Sequence, residues 1–329
     1  MRNAVIRSSG AYLPKRRLTN AYFDETLGEN VSEWLETNLE IYERRWCAPE
    51  ESAVDLAEHA SLQALERAGL EAKDLDLIIV ATDTPEYLTP ATAAVLQYRL
   101  QAGHAGSFDL NAACAGFVMG LDVGAKYIRT DQRYKHVLVV GVYAISKFLD
   151  PLHKKTATLF ADGAGAIILS AEETEDRGYL DSELITLGQY FDGMGIYGVG
   201  TKNPLTPEAV ANKEHVLKTN YRFPPTLNPQ MWTTISRNML KRLELKPADI
   251  DQYFLTQINI NSIRKTLDNL KLPHEKAHTA MRNYAYTGSA CIPIAFNDAW
   301  EKGKLTPNSY VFFIGSGSGL TFAGTAFKL

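Results

Sequence analysis

Of the side chains able to do covalent chemistry, the thiol of Cys114 has the most informative surroundings. It lies in Ser107-Phe108-Asp109-Leu110-Asn111-Ala112-Ala113-Cys114-Ala115-Gly116-Phe117, after which Phe117, Leu121, Ala125 and Ile128 recur at helical spacing. The pattern predicts a short strand, a turn and a helix, with Cys114 at or just before the first helical turn. There the unpaired backbone N–H groups and the helix dipole favour a thiolate, the nucleophilic form of the side chain. Small neighbours leave room for a substrate. A nucleophile that attacks a carbonyl also needs donors aimed at the oxyanion. The segment Gly315-Ser316-Gly317-Ser318-Gly319-Leu320-Thr321 follows the apolar run Val311–Ile314 and reads as a glycine loop that turns N–H groups toward a ligand. Cys114 and Ser318 are therefore the candidate oxyanion-hole residues. No amphipathic helix follows the loop, and Thr321 to Leu329 reads as a final strand, which excludes a dinucleotide or phosphate loop. The chemistry indicated is acyl transfer through a thioester on Cys114.

The elements that must position these groups are those of an α/β protein. Apolar, β-rich runs alternate with helical patterns along 329 residues, of which 45% are hydrophobic and 22% charged. That is enough for one large core or two modest ones. A net charge of −4 with no block of like charge gives a nucleic-acid or anionic-membrane partner no electrostatic support. No apolar run approaches the roughly 18 residues a bilayer span needs, and the N-terminus lacks the apolar core of a leader, so a cytoplasmic protein is expected. Cys47, Cys114 and Cys291 are odd in number and share no CxxC spacing, which argues against a disulfide framework and a zinc site. None of the seven histidines carries a motif, and no cluster suggests a metal.

One supersecondary unit is used twice. Leu65-Glu66-Arg67 through Leu70, Asp74, Leu75 and Asp76 into Leu77-Ile78-Ile79-Val80 matches, at a constant offset of 175 residues, Leu240-Lys241-Arg242 through Leu245, Asp249, Ile250 and Asp251 into Gln252-Tyr253-Phe254-Leu255. Each copy reads as helix, acidic turn and buried strand. The chain is expected to divide into residues 1–175, which carry Cys114, and residues 176–329, which carry the second-substrate side of the site, with Ser170 to Asp176 as a polar connection free of strand. From Gly188 to about Pro229 the sequence is rich in Gly, Pro, Asn and Tyr and reads as long loops bordering a binding site.

The Cys114 segment, Phe160-Ala161-Asp162-Gly163-Ala164-Gly165-Ala166, Thr287-Gly288-Ser289-Ala290-Cys291-Ile292-Pro293 and Gly315 to Gly319 together resemble β-ketoacyl-acyl-carrier-protein synthase III over nearly the whole chain. The resemblance implies the thiolase fold, a duplicated five-layer α/β/α/β/α architecture that forms dimers. It implies a cysteine acylated from coenzyme A, then decarboxylative transfer to a malonyl carrier-protein thioester in fatty-acid or polyketide synthesis. Coenzyme A and phosphopantetheine thioesters are then substrates, and no resident cofactor is expected. Where the family has His-Gln-Ala-Asn this chain has Thr256-Gln257-Ile258-Asn259, and where it has Gly-Asn-Thr-Ser the chain has Ala285-Tyr286-Thr287-Gly288. Thr256 and Tyr286 thus replace the histidine and asparagine that assist decarboxylation. Trp34 matches the tryptophan that stacks on adenine, Asn38 replaces an arginine beside it, and Lys154 matches another arginine near the nucleotide. Thr89 stands where a residue, often phenylalanine, reaches into the partner subunit's acyl pocket. Phe160 and Asn259 complete the expected substrate-binding set.

A threonine hydroxyl is shorter than an imidazole, and a tyrosine hydroxyl lies farther from its backbone than a carboxamide. Losing one donor to a developing oxyanion costs about 2.7 to 4 kcal/mol in rate. Three readings therefore stand: an acyltransferase that delivers the Cys114 acyl group to an acceptor needing no decarboxylation, a decarboxylative condensing enzyme, and a non-catalytic subunit of a heteromeric synthase.

Overall fold

A computed structural model describes residues 1–329. One sheet holds β1 (Arg2–Tyr12), β2 (Leu77–Ala81), β3 (Gly106–Leu110), β4 (His136–Tyr143) and β5 (Gly163–Glu173), in the spatial order β1-β5-β4-β2-β3. A second holds β6 (Gly178–Thr186), β7 (Gln252–Leu255), β8 (Tyr310–Gly317) and β9 (Thr321–Lys328), in the order β7-β8-β9-β6. The main helices are α1 (Ala53–Ala68), α2 (Thr92–Leu100), α3 (Gly116–Thr130), α4 (Leu227–Arg242), α5 (Ile260–Leu270) and α6 (Cys291–Glu301). Helices α3 and α6 pack between the sheets, α1 and α2 cover the outer face of the first, and α4 with α5 covers the outer face of the second. Five layers result, α/β/α/β/α.

The central strands show no polar alternation because both their faces are covered. Leu77, Ile79 and Ala81 of β2 point into the core between the sheets, while Ile78 and Val80 point to the core under α1 and α2. In β4, Val137 and Val139 go one way and Leu138, Val140 and Val142 the other. Each such side chain contributes about 1.5–3 kcal/mol on burial. The apolar stripe of α3 behaves as its spacing predicts, with Phe117, Leu121, Ala125 and Ile128 all buried.

The repeated acidic turn has a physical explanation in both copies. Asp74 accepts from the backbone N–H of Glu71 at 2.9 Å and Asp249 from that of Lys246 at 2.7 Å, each closing a single 3-10 turn before the strand. Asp76 Oδ2 then accepts from His136 N at 2.9 Å, and Asp251 Oδ2 from Tyr310 N at 2.8 Å. Each aspartate therefore ties the start of one strand to its parallel neighbour, β2 to β4 and β7 to β8.

Two expectations are corrected. Ser170 to Glu173 is strand, the end of β5, paired with β1 along its length and joined through Ser170 to β4, so the connection shrinks to Thr174–Arg177. Its polar residues are tolerated because the strand end emerges at the rim, where Glu172 pairs with Arg177 at 2.6 Å. Likewise Gly315 to Gly317 continue β8, and only Ser318 to Leu320 form the turn into β9. Between Gly188 and Pro229 the chain is mostly irregular, with Met194–Gly195 paired to Lys218–Thr219 and one short helix, Pro207–Ala211. Helix α4 starts at Leu227 and accommodates Pro229 in its first turn, where no backbone N–H is needed. No helix is long and apolar enough to cross a membrane.

Candidate active site

Cys114 sits on the turn from β3 into α3. Asn111 Oδ1 accepts from Ala113 N at 3.0 Å, Ala113 takes a left-handed conformation (φ 46°), and Gly116 opens the helix. A non-glycine residue in that region is strained, and here it turns Cys114 out of the strand direction. The end of β8 presses on this turn. A Cβ added at Gly317 would lie 2.2 Å from Ala112 O and 3.0 Å from Cys114 N. Gly317→Ala is therefore expected to cost about 1–3 kcal/mol of stability and to displace Cys114, read as a lower melting temperature together with slower thiol alkylation. The backbone N–H groups of Cys114 and Ser318 are engaged in no backbone hydrogen bond, and the Ser318 hydroxyl donates to Met194 O.

A cavity of about 570 Å³ brings together Trp34, Cys114, Thr256, Asn259, Tyr286 and Ser318. Thr256 follows β7 and is fully buried; its Oγ1 accepts from Ser316 N at 2.9 Å. Asn259 caps α5, its Oδ1 accepting from Asn261 N at 2.9 Å. Tyr286 is buried with its ring 5.3 Å from that of Phe160. Phe160 packs behind it and does not line the cavity. Trp34, on the helix Ser32–Leu39, is 58% exposed and also lines a neighbouring cavity of about 370 Å³ with Lys154, Lys155 and Arg222. Lys154 forms an ion pair with Glu29 at 2.7 Å. Asn38 lies outside both cavities, holding Trp34 O at 3.0 Å and accepting from the Asn261 side chain. Thr89 is exposed and also outside them. The Gly188–Pro229 segment does border the larger cavity, through Met194, the run Thr219 to Pro225, Leu227 and Asn228. No histidine lines either cavity; His153 instead pairs with Thr156 at 2.8 Å.

The electrostatics overturn the expected thiolate. Burial pushes the Cys114 thiol well above its ordinary pKa, the negative charge of Asp83 pushes in the same direction, and the Tyr286 hydroxyl, reaching the sulfur, only partly opposes them. The resting side chain is therefore a neutral thiol. A helix end lowers a thiol pKa when water still reaches it, but at 2% exposure desolvation wins. Burial also pushes the Cys291 thiol up to about 12 and raises the Tyr143 and Tyr286 hydroxyls. Sequence reasoning missed Asp83, Tyr143, Lys155 and Arg222. A signal existed for Arg222, its place in the irregular insertion, and for Lys155, which adjoins the expected Lys154.

The model of 3-oxoacyl-[acyl-carrier-protein (ACP)] synthase III matches residues 108–188, and that of its C-terminal part matches residues 240–329. The β-ketoacyl-[acyl-carrier-protein] synthase III of Geobacillus kaustophilus is 37% identical over 99% of this chain and 98% of its own, and that of Aliarcobacter butzleri is 34% identical over 99% and 97%. The chain belongs to the 3-oxoacyl-[acyl-carrier-protein] synthase III family. Among solved structures, the synthase III of Thermus thermophilus superposes with a TM-score of 0.90 at 30% identity, covering 99% of both chains. The priming β-ketosynthase of the R1128 polyketide pathway superposes with a TM-score of 0.87 at 25% identity, over 99% of this chain and 96% of that one. The five layers are thus the thiolase fold, and this synthase III family member is an acyl-transferring enzyme.

Proposed function

We propose that this synthase III family member takes an acyl group from coenzyme A or a carrier-protein phosphopantetheine onto Cys114. It then delivers that group to an acceptor that needs no decarboxylation. The observation that carries the reading is the state of the two residues facing Cys114. Tyr286 has its hydroxyl on the cysteine sulfur, and the Thr256 oxygen accepts from Ser316 N. Neither reproduces the imidazole and carboxamide that these positions carry in the resembled family, the Thr256 hydroxyl being shorter and the Tyr286 hydroxyl turned to the cysteine, whereas the N–H groups of Cys114 and Ser318, engaged in no backbone hydrogen bond, suit the oxyanion of acyl transfer. Malonyl condensation is the second reading, favoured by the family itself. A silent subunit fits poorly with a cavity of this volume ending on the thiol.

Lys154, Lys155 and Arg222 beside exposed Trp34 suit the phosphates and base of coenzyme A. Arg222→Ala is expected to raise KM for acyl-coenzyme A about tenfold, the effect of one lost charged contact worth ~1.4 kcal/mol, and to leave acyl-pantetheine unchanged in steady-state assays. For a carrier protein, Arg264 is already paired with Glu40 at 2.6 Å, which leaves Lys265 as the free cation of that part of α5. The open edge of β3 supports a homodimer. Acylating the protein and then adding a malonyl carrier thioester tests the central claim: the Cys114 acyl group persists and no carbon dioxide is released, while rapid release would transfer the case to the second reading.

A further inference from the structure

Arg44, in the short strand Glu43–Arg45, is completely removed from solvent, and no carboxylate accepts a hydrogen bond from its guanidinium. The adjacent Glu43 is paired with Arg17 and Arg45. Burial pushes the Arg44 pKa down to about 10, so the group stays charged at neutral pH. Its Nε has no partner, and its flat face covers the Phe23 ring at 4.7 Å from the centroid. A buried charge without a counter-ion is costly, and an apolar side chain of similar volume commonly serves packing as well. What an apolar side chain could not do is bond to the oxygens that Arg44 holds.

Beyond a long contact to Leu18 O at 3.4 Å, within its own hairpin, the guanidinium bonds in two directions, and each leads to one wall of the cavity of about 370 Å³. In the first, Nη1 donates to Asn20 Oδ1 at 2.8 Å. The Asn20 amide, itself buried, then donates through Nδ2 to Glu36 Oε1 at 3.1 Å and Ile41 O at 2.8 Å. Glu36 lies in the helix Ser32–Leu39, which brings Trp34 and Leu35 to the cavity. In the second, Nη2 donates to Thr158 O at 2.5 Å. Thr158 lines the cavity, and its hydroxyl donates to Lys154 O at 2.8 Å, closing the helix Lys154–Ala157 that presents Lys154 and Lys155. One planar fork thus ties the aromatic wall to the cationic wall from behind. The Lys154–Glu29 ion pair also spans the walls, but both its side chains are about half exposed, and such pairs contribute little.

We propose that Arg44 is a positioning residue for the nucleotide of an acyl-coenzyme A donor, fixing the distance between Trp34 and the Lys154–Ala157 helix so that base and phosphates meet their partners together. The proposal rests on the donor reading given above. Arg44 itself touches no substrate and takes no part in bond making at Cys114.

Two titrations of the intact protein test the brace. Calorimetry with coenzyme A, which has no acyl group to give, reads the cavity alone. Mass spectrometry of Cys114 acylation against donor concentration reads the reaction. Arg44→Met, which keeps an apolar chain on Phe23, should weaken coenzyme A binding about tenfold and raise the half-saturation for acyl-coenzyme A by the same factor, with the limiting acylation rate held within about twofold. Acylation by acyl-pantetheine, which has no nucleotide, should not change. Arg44→Lys keeps the charge without the fork and should bind within about threefold of Arg44→Met. Glu36→Ala, at the partly exposed end of the chain of bonds, keeps the test open if Arg44→Met does not fold. It should weaken binding about threefold, the effect of one hydrogen bond. Native affinity in Arg44→Lys, or in both Arg44→Met and Glu36→Ala, overturns the brace. A parallel loss with acyl-pantetheine does so too, because it marks general disruption around Cys114. If the native protein binds coenzyme A but no thioester acylates Cys114, the functional reading fails and the brace remains. If acyl-pantetheine acylates Cys114 while coenzyme A does not bind, the brace fails and the acyl-transfer reading remains.

Discussion

Cys114→Ala is expected to abolish the acyl adduct that the native protein forms with an acyl-coenzyme A or acyl-carrier thioester, seen by intact-protein mass spectrometry, and to lower turnover by ~10⁴-fold or more. The other two thiols serve as internal controls. Cys47 and Cys291 are buried, neither lines the cavity, and burial drives both thiol pKa values up, so neither should carry acyl mass. The substitution removes one sulfur from a site that must already admit a substrate, so the stability cost should stay near ~1 kcal/mol. Loss of activity with an unchanged melting curve would then report chemistry and not folding. An adduct that survives in Cys114→Ala, or a native protein that no donor acylates, would remove the thioester from the mechanism.

The location of that thiol was legible because its signals are local. The Asn111 to Gly116 turn, the α3 stripe and the acidic turns at Asp74–Asp76 and Asp249–Asp251 each depend on residues a few positions apart, and the 175-residue offset exposed the duplication from sequence alone. The features that stayed hidden depend on segments far apart in the chain. Gly315 to Gly317 read as loop because glycine is a poor strand former, yet the absence of side chains at Gly315 and Gly317, on one face of β8, is what allows it to lie against the Cys114 turn. Strand β6 carries Asp181, Ser182 and Glu183 in mid-strand because it is an edge strand beside β9, with Arg242 from α4 neutralising both acids at 2.8 Å. The thiolate expectation failed for the same reason. A helix end is visible in sequence, but the desolvation that outweighs it comes from tertiary packing, as does the closeness of Asp83, which precedes Cys114 by a whole helix and strand.

Thr256→His and Tyr286→Asn together are expected to raise carbon dioxide release from a malonyl carrier thioester by ~10²-fold or more over the native protein, since each donor to the developing enolate oxygen is worth about 2.7–4 kcal/mol. Full restoration is not expected, for two reasons visible in the site. Thr256 Oγ1 is the acceptor for Ser316 N, and removing it leaves a buried donor that costs ~1–3 kcal/mol unless the imidazole turns to replace it. Exchanging the Tyr286 ring for a carboxamide opens a void against Phe160, which lowers stability further and loosens the wall that should hold the asparagine. Both penalties should appear as a lower melting temperature. Adduct formation on Cys114 should change by less than about tenfold, because it draws on the thiol and the Cys114 and Ser318 N–H groups, which the pair of substitutions leaves in place. A split of this kind, with decarboxylation rising steeply while acylation stays nearly level, can arise only if the two half-reactions use separable parts of one cavity. If the native protein already releases carbon dioxide as fast as it is acylated, Thr256 and Tyr286 are competent donors where they stand, and the acceptor that needs no decarboxylation has no place in the mechanism.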